Sequence, residues 1–159
     1  MGTFHLLMAE DDPSDAFFVQ KTFTAVQGPL SLAIVPTGED VLSYLQGAAP
    51  YADREQFPMP NLLLLDIKMP RMTGLEVLEW LKGNEQFRRL PVIMISSSSL
   101  QKDIDRAFDL GANSYLVKPV HFEEMQHVFQ AIGDYWTSIS KWPSPPKVKP
   151  KLEPVLRTR

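Results

Sequence analysis

The feature that most constrains this chain is a set of short, unbroken apolar runs spaced along it. They occupy residues 4–9, 31–36, 61–66, 91–96 and 113–117, and are rich in Leu, Ile and Val. Each is continuous rather than alternating, the pattern of a strand covered on both faces. Helical patterns fill the intervals. Asp12 followed by Pro13 fits an N-cap with proline at the first helical position. Thr73-Gly74-Leu75-Glu76 has capping-box spacing, and Leu75, Leu78 and Leu81 follow on one face. Ile104, Ala107 and Phe108 form a stripe that Gly111 closes. Phe122, Met125, Phe129, Ile132 and Trp136 recur at helical spacing in the last segment.

Strand and helix thus alternate five times, which predicts an α/β fold with a parallel sheet and helices on both faces. Right-handed crossovers leave few topologies, and a doubly wound five-stranded sheet of order 2-1-3-4-5 leads. Residues 48–59, AAPYADREQFPM, read as a lengthened loop before the third strand. The predicted domain spans 1–140. Residues 141–159, with five prolines, six basic residues and Glu153, read as an extended or disordered tail with almost nothing to pack. That tail carries a net +5 of the chain's −3, leaving −8 on the body, which argues against nucleic-acid binding by the folded part.

Composition removes several classes. Without cysteine there is no disulfide framework, thiolate zinc site or thiol nucleophile. No apolar run reaches the roughly 18 to 20 residues of a membrane span. The amino terminus turns acidic too soon for a secretory signal, so a cytoplasmic location is the expectation.

In such sheets ligands sit beyond the carboxyl ends of the strands. Those ends carry Glu10-Asp11-Asp12, Asp66, Ser96-Ser97-Ser98-Ser99 and Lys118-Pro119. Carboxylates packed together repel and raise one another's pKa. A hard divalent cation on an all-oxygen site relieves that, and Mg²⁺ suits it best. Lys118 and a serine hydroxyl add donors for an anion, a phosphoryl group above all, and an aspartate can itself accept one.

MAEDDPSD, LLLLDIKMPRMTGLEVL, PVIMISSSS and GANSYLVKP, in this order, resemble the receiver domain of two-component response regulators over residues 4–137. The resemblance implies the flavodoxin-like receiver fold and phosphorylation of Asp66 by a histidine kinase or phosphotransfer protein. It implies Mg²⁺ held by Asp11, Asp66, the Lys68 carbonyl and, through water, Glu10. Ser96, the Ser97 amide and Lys118 match the phosphoryl-binding positions, and Ser96 with Tyr115 the switch pair. Pro70 and Pro119 match structural positions, with a Lys118–Pro119 bond that is usually cis in relatives. The reporting surface would be the fourth helix, fifth strand and fifth helix. The long loop and the ending FQAIGDYWTSISKWP resemble a single-domain subgroup found beside phytochrome-type kinases. Lys68 departs from that subgroup, which often has a smaller polar residue two positions after the phosphoacceptor; with Ser98, this position influences phosphoryl lifetime.

Duller readings stand beside these. Asp12 is a helix cap, and Ser99 is expected to cap the next helix. Spacing implies no carboxylate or serine partner for His5, His121 or His127. Trp136 and Trp142 either continue the apolar face of the last helix or form a dimer contact, and the position of Trp142 favours a contact. A phosphatase with an aspartyl nucleophile would want an acid two residues on, where Lys68 stands. A flavin-binding module would need a hydroxyl-rich loop where AEDDPSD is acidic, and a GTPase would need a Gly-rich Lys-Ser/Thr loop. A degenerate receiver serving only as an interaction scaffold is the remaining alternative. No DNA-binding segment follows residue 140, so direct transcriptional control is not expected.

Overall fold

The computed structural model describes residues 2–148. Five parallel strands, β1 (Phe4–Ala9), β2 (Leu30–Val35), β3 (Leu62–Leu65), β4 (Val92–Ser96) and β5 (Ser114–Val117), form one sheet of order β2-β1-β3-β4-β5. Between and after them run α1 (Pro13–Phe23), α2 (Gly38–Gln46), α3 (Gly74–Gly83), α4 (Gln101–Asp109) and α5 (Phe122–Asp134). A π-helical turn, Tyr135–Ile139, extends α5.

The unbroken apolar runs are explained by two cores, one on each face. Leu63 and Leu65 point to one side with Leu7, Val92 and Met94, where Val41 of α2, Leu78 of α3 and Ala107 of α4 meet them. Leu62 and Leu64 point to the other with Leu6, Met8 and Ile95, against Val19 of α1 and Met125 and Phe129 of α5. All four leucines of β3 are fully buried. A strand with no solvent face has no reason to alternate.

Strand starts fall one residue later than predicted for β3, β4 and β5, and one earlier for β2. At two of them an asparagine replaces a strand residue. Asn61 accepts the His5 N–H on its side chain (2.9 Å) and donates its own N–H to the His5 carbonyl (2.8 Å). Asn113 does the same with Val92, at 2.9 Å in both bonds.

The long loop is tied down by Arg54. Its guanidinium donates to the carbonyls of Tyr44 (2.8 Å), Leu45 (2.9 Å) and Phe57 (3.2 Å). It thereby ties the Phe57 carbonyl of the loop to two carbonyls in the last turn of α2. Tyr44, Tyr51 and Phe57 pack on one another beside it.

The segment after α5 packs more than composition suggests. Trp142 meets the Phe4 ring edge-on at 5.0 Å, and Trp136 stacks on the same ring at 6.3 Å. Both tryptophans therefore pack on the chain's own core edge, and Trp142 keeps 37% of its surface exposed. Beyond it the chain stays extended, and Gln86 donates to the Lys147 carbonyl. The rest of the predicted tail, 149–159, lies outside the described residues.

Candidate functional site

Glu10 follows β1, Asp66 follows β3, Ser96 ends β4 and Lys118 follows β5. The parallel register sets these four residues on one edge of the sheet. Two backbone bonds extend the ladder to that edge: Glu10 N–H donates to the Val35 carbonyl (3.0 Å) and Lys118 N–H to the Ser96 carbonyl (2.8 Å).

The Lys118 ammonium is the hub. It donates to Glu10 Oε2 at 2.6 Å and to Asp66 Oδ2 at 2.9 Å. Asp15, in the first turn of α1, stands 3.5 Å from the same nitrogen. Glu10 and Asp66 are buried, at 3% and 6% exposure, so the triad is largely shielded from water. Burial pushes the Glu10 carboxyl above its ordinary value, and the hydrogen bonds from Lys118 and the Asp12 amide only partly oppose it. Burial would lower the Lys118 ammonium, but its bonds to Glu10 and Asp66 win and hold it above the usual lysine value.

The loops around the triad are fixed locally. Asp12 caps α1, accepting from Ser14 N–H (2.8 Å) and Asp15 N–H (3.0 Å), while its own N–H donates to Glu10 Oε1 (3.1 Å). Lys68 N–H donates to Asp66 Oδ1 at 3.1 Å, and the Lys68 side chain is exposed. After exposed Pro70 the chain takes a left-handed step at Arg71 (φ 65°) and re-enters at Gly74, whose N–H donates to the Ile67 carbonyl (3.1 Å). A Cβ on Gly74 would lie 2.0 Å from the Asp66 carbonyl oxygen, so only glycine lets the turn close on the strand.

On the other side Ser96 is fully buried and its Oγ accepts from Ser98 N–H at 3.3 Å. Ser97 is exposed and lines, with Lys118, Asp15, Phe18, Pro119 and Val120, an opening of about 470 Å³ between α1 and the β5–α5 turn. Tyr115 donates its hydroxyl to the Ser98 carbonyl at 2.8 Å, joining β5 to the β4–α4 turn.

The structure thus gathers Glu10, Asp66 and Lys118 in direct contact, with Ser96 paired to the same edge. Asp11 does not join them. It is exposed and makes no side-chain hydrogen bond or ion pair among the described residues. Nor do any three His, Cys, Asp or Glu side chains group as a cation cage among the described residues; Lys118 lies between Glu10 and Asp66.

Three expectations are corrected. The Lys118–Pro119 bond is not cis, and the one cis bond among the described residues is Ala49–Pro50. Lys118 reaches both carboxylates without that isomer. Exposed Ser99 does not cap α4: Leu100 stands at the N-cap with no side-chain cap bond, and Ser98 braces the turn before it, its Oγ accepting from Leu100 N–H (3.3 Å) and donating to Asp103 (2.5 Å). His5 does have a serine partner, Ser31 Oγ at 2.5 Å, through the β1–β2 register and away from the triad. Sequence reasoning missed Asp15 and the close approach at Gly74. The signal for Asp15 was its place three residues after the cap, one helical turn onto the edge that bears Glu10.

The profile of the response regulator receiver domain matches residues 6–130. The chain belongs to that family. Response regulator Rcp1 of Synechocystis sp. is 30% identical over 131 residues, a stretch covering 82% of this chain and 87% of Rcp1. Among solved structures, response regulator RPA3017 in red light signaling of R. palustris is similar at a TM-score of 0.82 and 33% identity, over 89% of this chain and 99% of that one. The phosphorylated cyanobacterial phytochrome response regulator RcpA gives 0.79 and 27%, over 90% and 100%. The Mn(2+)-bound form of Rcp1 gives 0.75 and 29%, over 89% and 99%. The receiver therefore has relatives named for phytochrome and red-light signalling, and no helix among its described residues is long and apolar enough to cross a membrane.

The donor chemistry of the receiver's edge fits a hard divalent cation. Its donors are all oxygen. One ammonium faces three carboxylates, Glu10, Asp66 and Asp15, with Asp11 adjoining Glu10 in sequence.

Proposed function

We propose that this receiver accepts a phosphoryl group on Asp66 from a histidine kinase or phosphotransfer protein, and that its partner-binding surface changes in response. The observation that carries this reading is the buried contact of Lys118 with Asp66 and Glu10 at the carboxyl edge of the sheet. Two neighbouring strands buried on both faces would not each end in a buried carboxylate for packing alone.

In the transfer an Asp66 carboxylate oxygen attacks phosphorus. The bond from phosphorus to the donor histidine nitrogen breaks, and that nitrogen keeps the electron pair. Lys118, the Ser96 hydroxyl and the Ser97 amide are the donors for the phosphoryl oxygens. Asp11, Asp66, the Lys68 carbonyl and Glu10 through water would hold Mg²⁺, which supplies positive charge to the transferring group. Hydrolysis of the acyl phosphate by water restores Asp66, so the receiver turns over no external substrate. Ser96 and Tyr115 carry the change outward. The hydroxyl of Tyr115 already rests on the turn that follows Ser96.

The α4–β5–α5 face, with exposed Leu100, Phe108, Val117 and Tyr135, is the surface we assign to a downstream partner or a second copy. The similarity to phytochrome-associated regulators favours a phytochrome-type kinase as donor, in the cytoplasm. Acetyl phosphate with Mg²⁺ is expected to add one phosphoryl group, read by intact mass, and Asp66→Asn to abolish it. Equal labelling of both proteins would sink the assignment and leave the scaffold reading.

A further inference from the structure

Asp15 belongs to none of the roles above, yet it points at the centre of the site. We propose that Asp15 is a specificity-determining residue, a fixed negative charge at the mouth of the site that disfavours small free anionic phosphodonors. The proposal rests on Asp66 being the phosphoacceptor.

Three observations carry it. Asp15 is a carboxylate 3.5 Å from the Lys118 ammonium, which Glu10 and Asp66 already hold at 2.6 and 2.9 Å. Two carboxylates already outweigh the single ammonium charge, so the third adds to a net negative charge. Secondly, the Glu10 and Asp66 side chains are 1% and 8% exposed, whereas that of Asp15 is 51% exposed and faces solvent on the approach side. Thirdly, the opening of about 470 Å³ that ends on Lys118 is bounded by Asp15 on α1 and by Ser97, Pro119 and Val120 opposite. An anion entering there passes Asp15 before it reaches the ammonium.

The backbone of Asp15 is fixed by its N–H bond to the Asp12 side chain (3.0 Å), so the charge is held near the entrance by the first turn of α1. A unit charge about 6 Å from a doubly charged donor, near a wet surface, changes its encounter with the site about three- to tenfold. A donor presented on a protein surface brings contacts of its own to offset that penalty, and a free small molecule brings none. A bland role also exists: a carboxylate in the first turn of a helix complements the macrodipole. That role does not depend on the charge of the phosphodonor.

The experiment measures labelling rates of the full chain by intact mass with acetyl phosphate and saturating Mg²⁺. Wild type, Asp15→Asn, Asp15→Glu and Asp66→Asn are compared at about 0.01 M and about 1 M salt, where the screening length falls from about 30 to 3 Å. Asp15→Asn is expected to label about three- to tenfold faster than wild type at low salt and at the wild-type rate at high salt. Asp15→Glu, which keeps the charge, should stay within about twofold of wild type. Phosphoramidate, a donor of lower charge, should show a smaller gain. Wild-type or slower labelling of Asp15→Asn at low salt, with none in Asp66→Asn, would overturn the gate and leave the phosphoacceptor standing. A gain that persists undiminished at high salt would overturn it too. Labelling that survives in Asp66→Asn would remove the phosphoacceptor reading and this proposal together.

Discussion

Replacing Gly74 by alanine isolates one contact on which the site depends. In a helix interior the change from glycine to alanine stabilises by about 0.5–1 kcal/mol. Here the new Cβ would lie 2.0 Å from the Asp66 carbonyl oxygen, 2.8 Å from its carbon and 3.2 Å from the Ile67 Cα. All three are backbone atoms, so no side chain can swing aside. A carbon needs about 3.3 Å from a carbonyl oxygen, so the turn must open by more than about 1 Å. Overpacking of this kind costs about 1–3 kcal/mol, and losing the Gly74 N–H bond to the Ile67 carbonyl adds about 1 kcal/mol. The steric term wins, for a net loss of about 2 kcal/mol and a melting temperature about 6 °C lower. Gly83, at the other end of α3, has nothing within 4 Å of its Cβ position and makes the matched control. Gly83→Ala is expected to hold or raise stability by up to about 1 kcal/mol. Urea melts of both variants, with acetyl phosphate labelling of each, test the contrast. A Gly74→Ala protein as stable as Gly83→Ala, with wild-type labelling, would refute the close-approach reasoning.

Other consequences are as direct. Lys118→Ala strips the buried Glu10 and Asp66 of their shared ammonium and should cost about 3–5 kcal/mol near neutral pH, with part of the loss recovered in acid as Glu10 protonates; denaturant melts at two pH values read this. Burial holds Glu10 above its ordinary value of 4.5, so the folded chain keeps a proton that the unfolded chain has released. Stability from this group therefore declines as pH rises from 4.5 through the raised value, and melting curves without divalent cations should show a shallower decline in Glu10→Gln. Arg54→Ala removes two bonds to carbonyls at the end of α2 and one to the Phe57 carbonyl of the loop, and should cost about 2 kcal/mol, with faster amide exchange confined to the α2–β3 loop.

Much of this was legible in the residues, for identifiable reasons. Unbroken apolar runs need two covered faces, which led to the parallel sheet, and its strand order then follows from handedness. The carboxyl-edge rule placed Glu10, Asp66, Ser96 and Lys118 together because each stands just after or at the end of a run. What escaped depends on distances that spacing does not carry. Whether Ser98 or Ser99 reaches the start of α4 is decided by the turn after Ser96. Nothing in the spacing pairs Asp15 with Lys118, because only the fold brings Lys118, just after the fifth strand, across to it. Trp142 seemed surplus to the core, because nothing in a proline-rich segment says that the chain doubles back to Phe4.

That aromatic stack sets what light can report about the molecule. Trp136 and Trp142 share the Phe4 ring at the start of β1, and Glu10 lies six residues along, about 20 Å away. Trp80 stacks on Phe87, more than a helical turn beyond the start of α3. Intrinsic emission therefore monitors the amino edge of the sheet, where release of the last segment would uncover two indoles at once. Chemistry at Asp66 is optically quiet by comparison, and an indole introduced at exposed Val120, on the rim of the opening, would give the site a voice of its own.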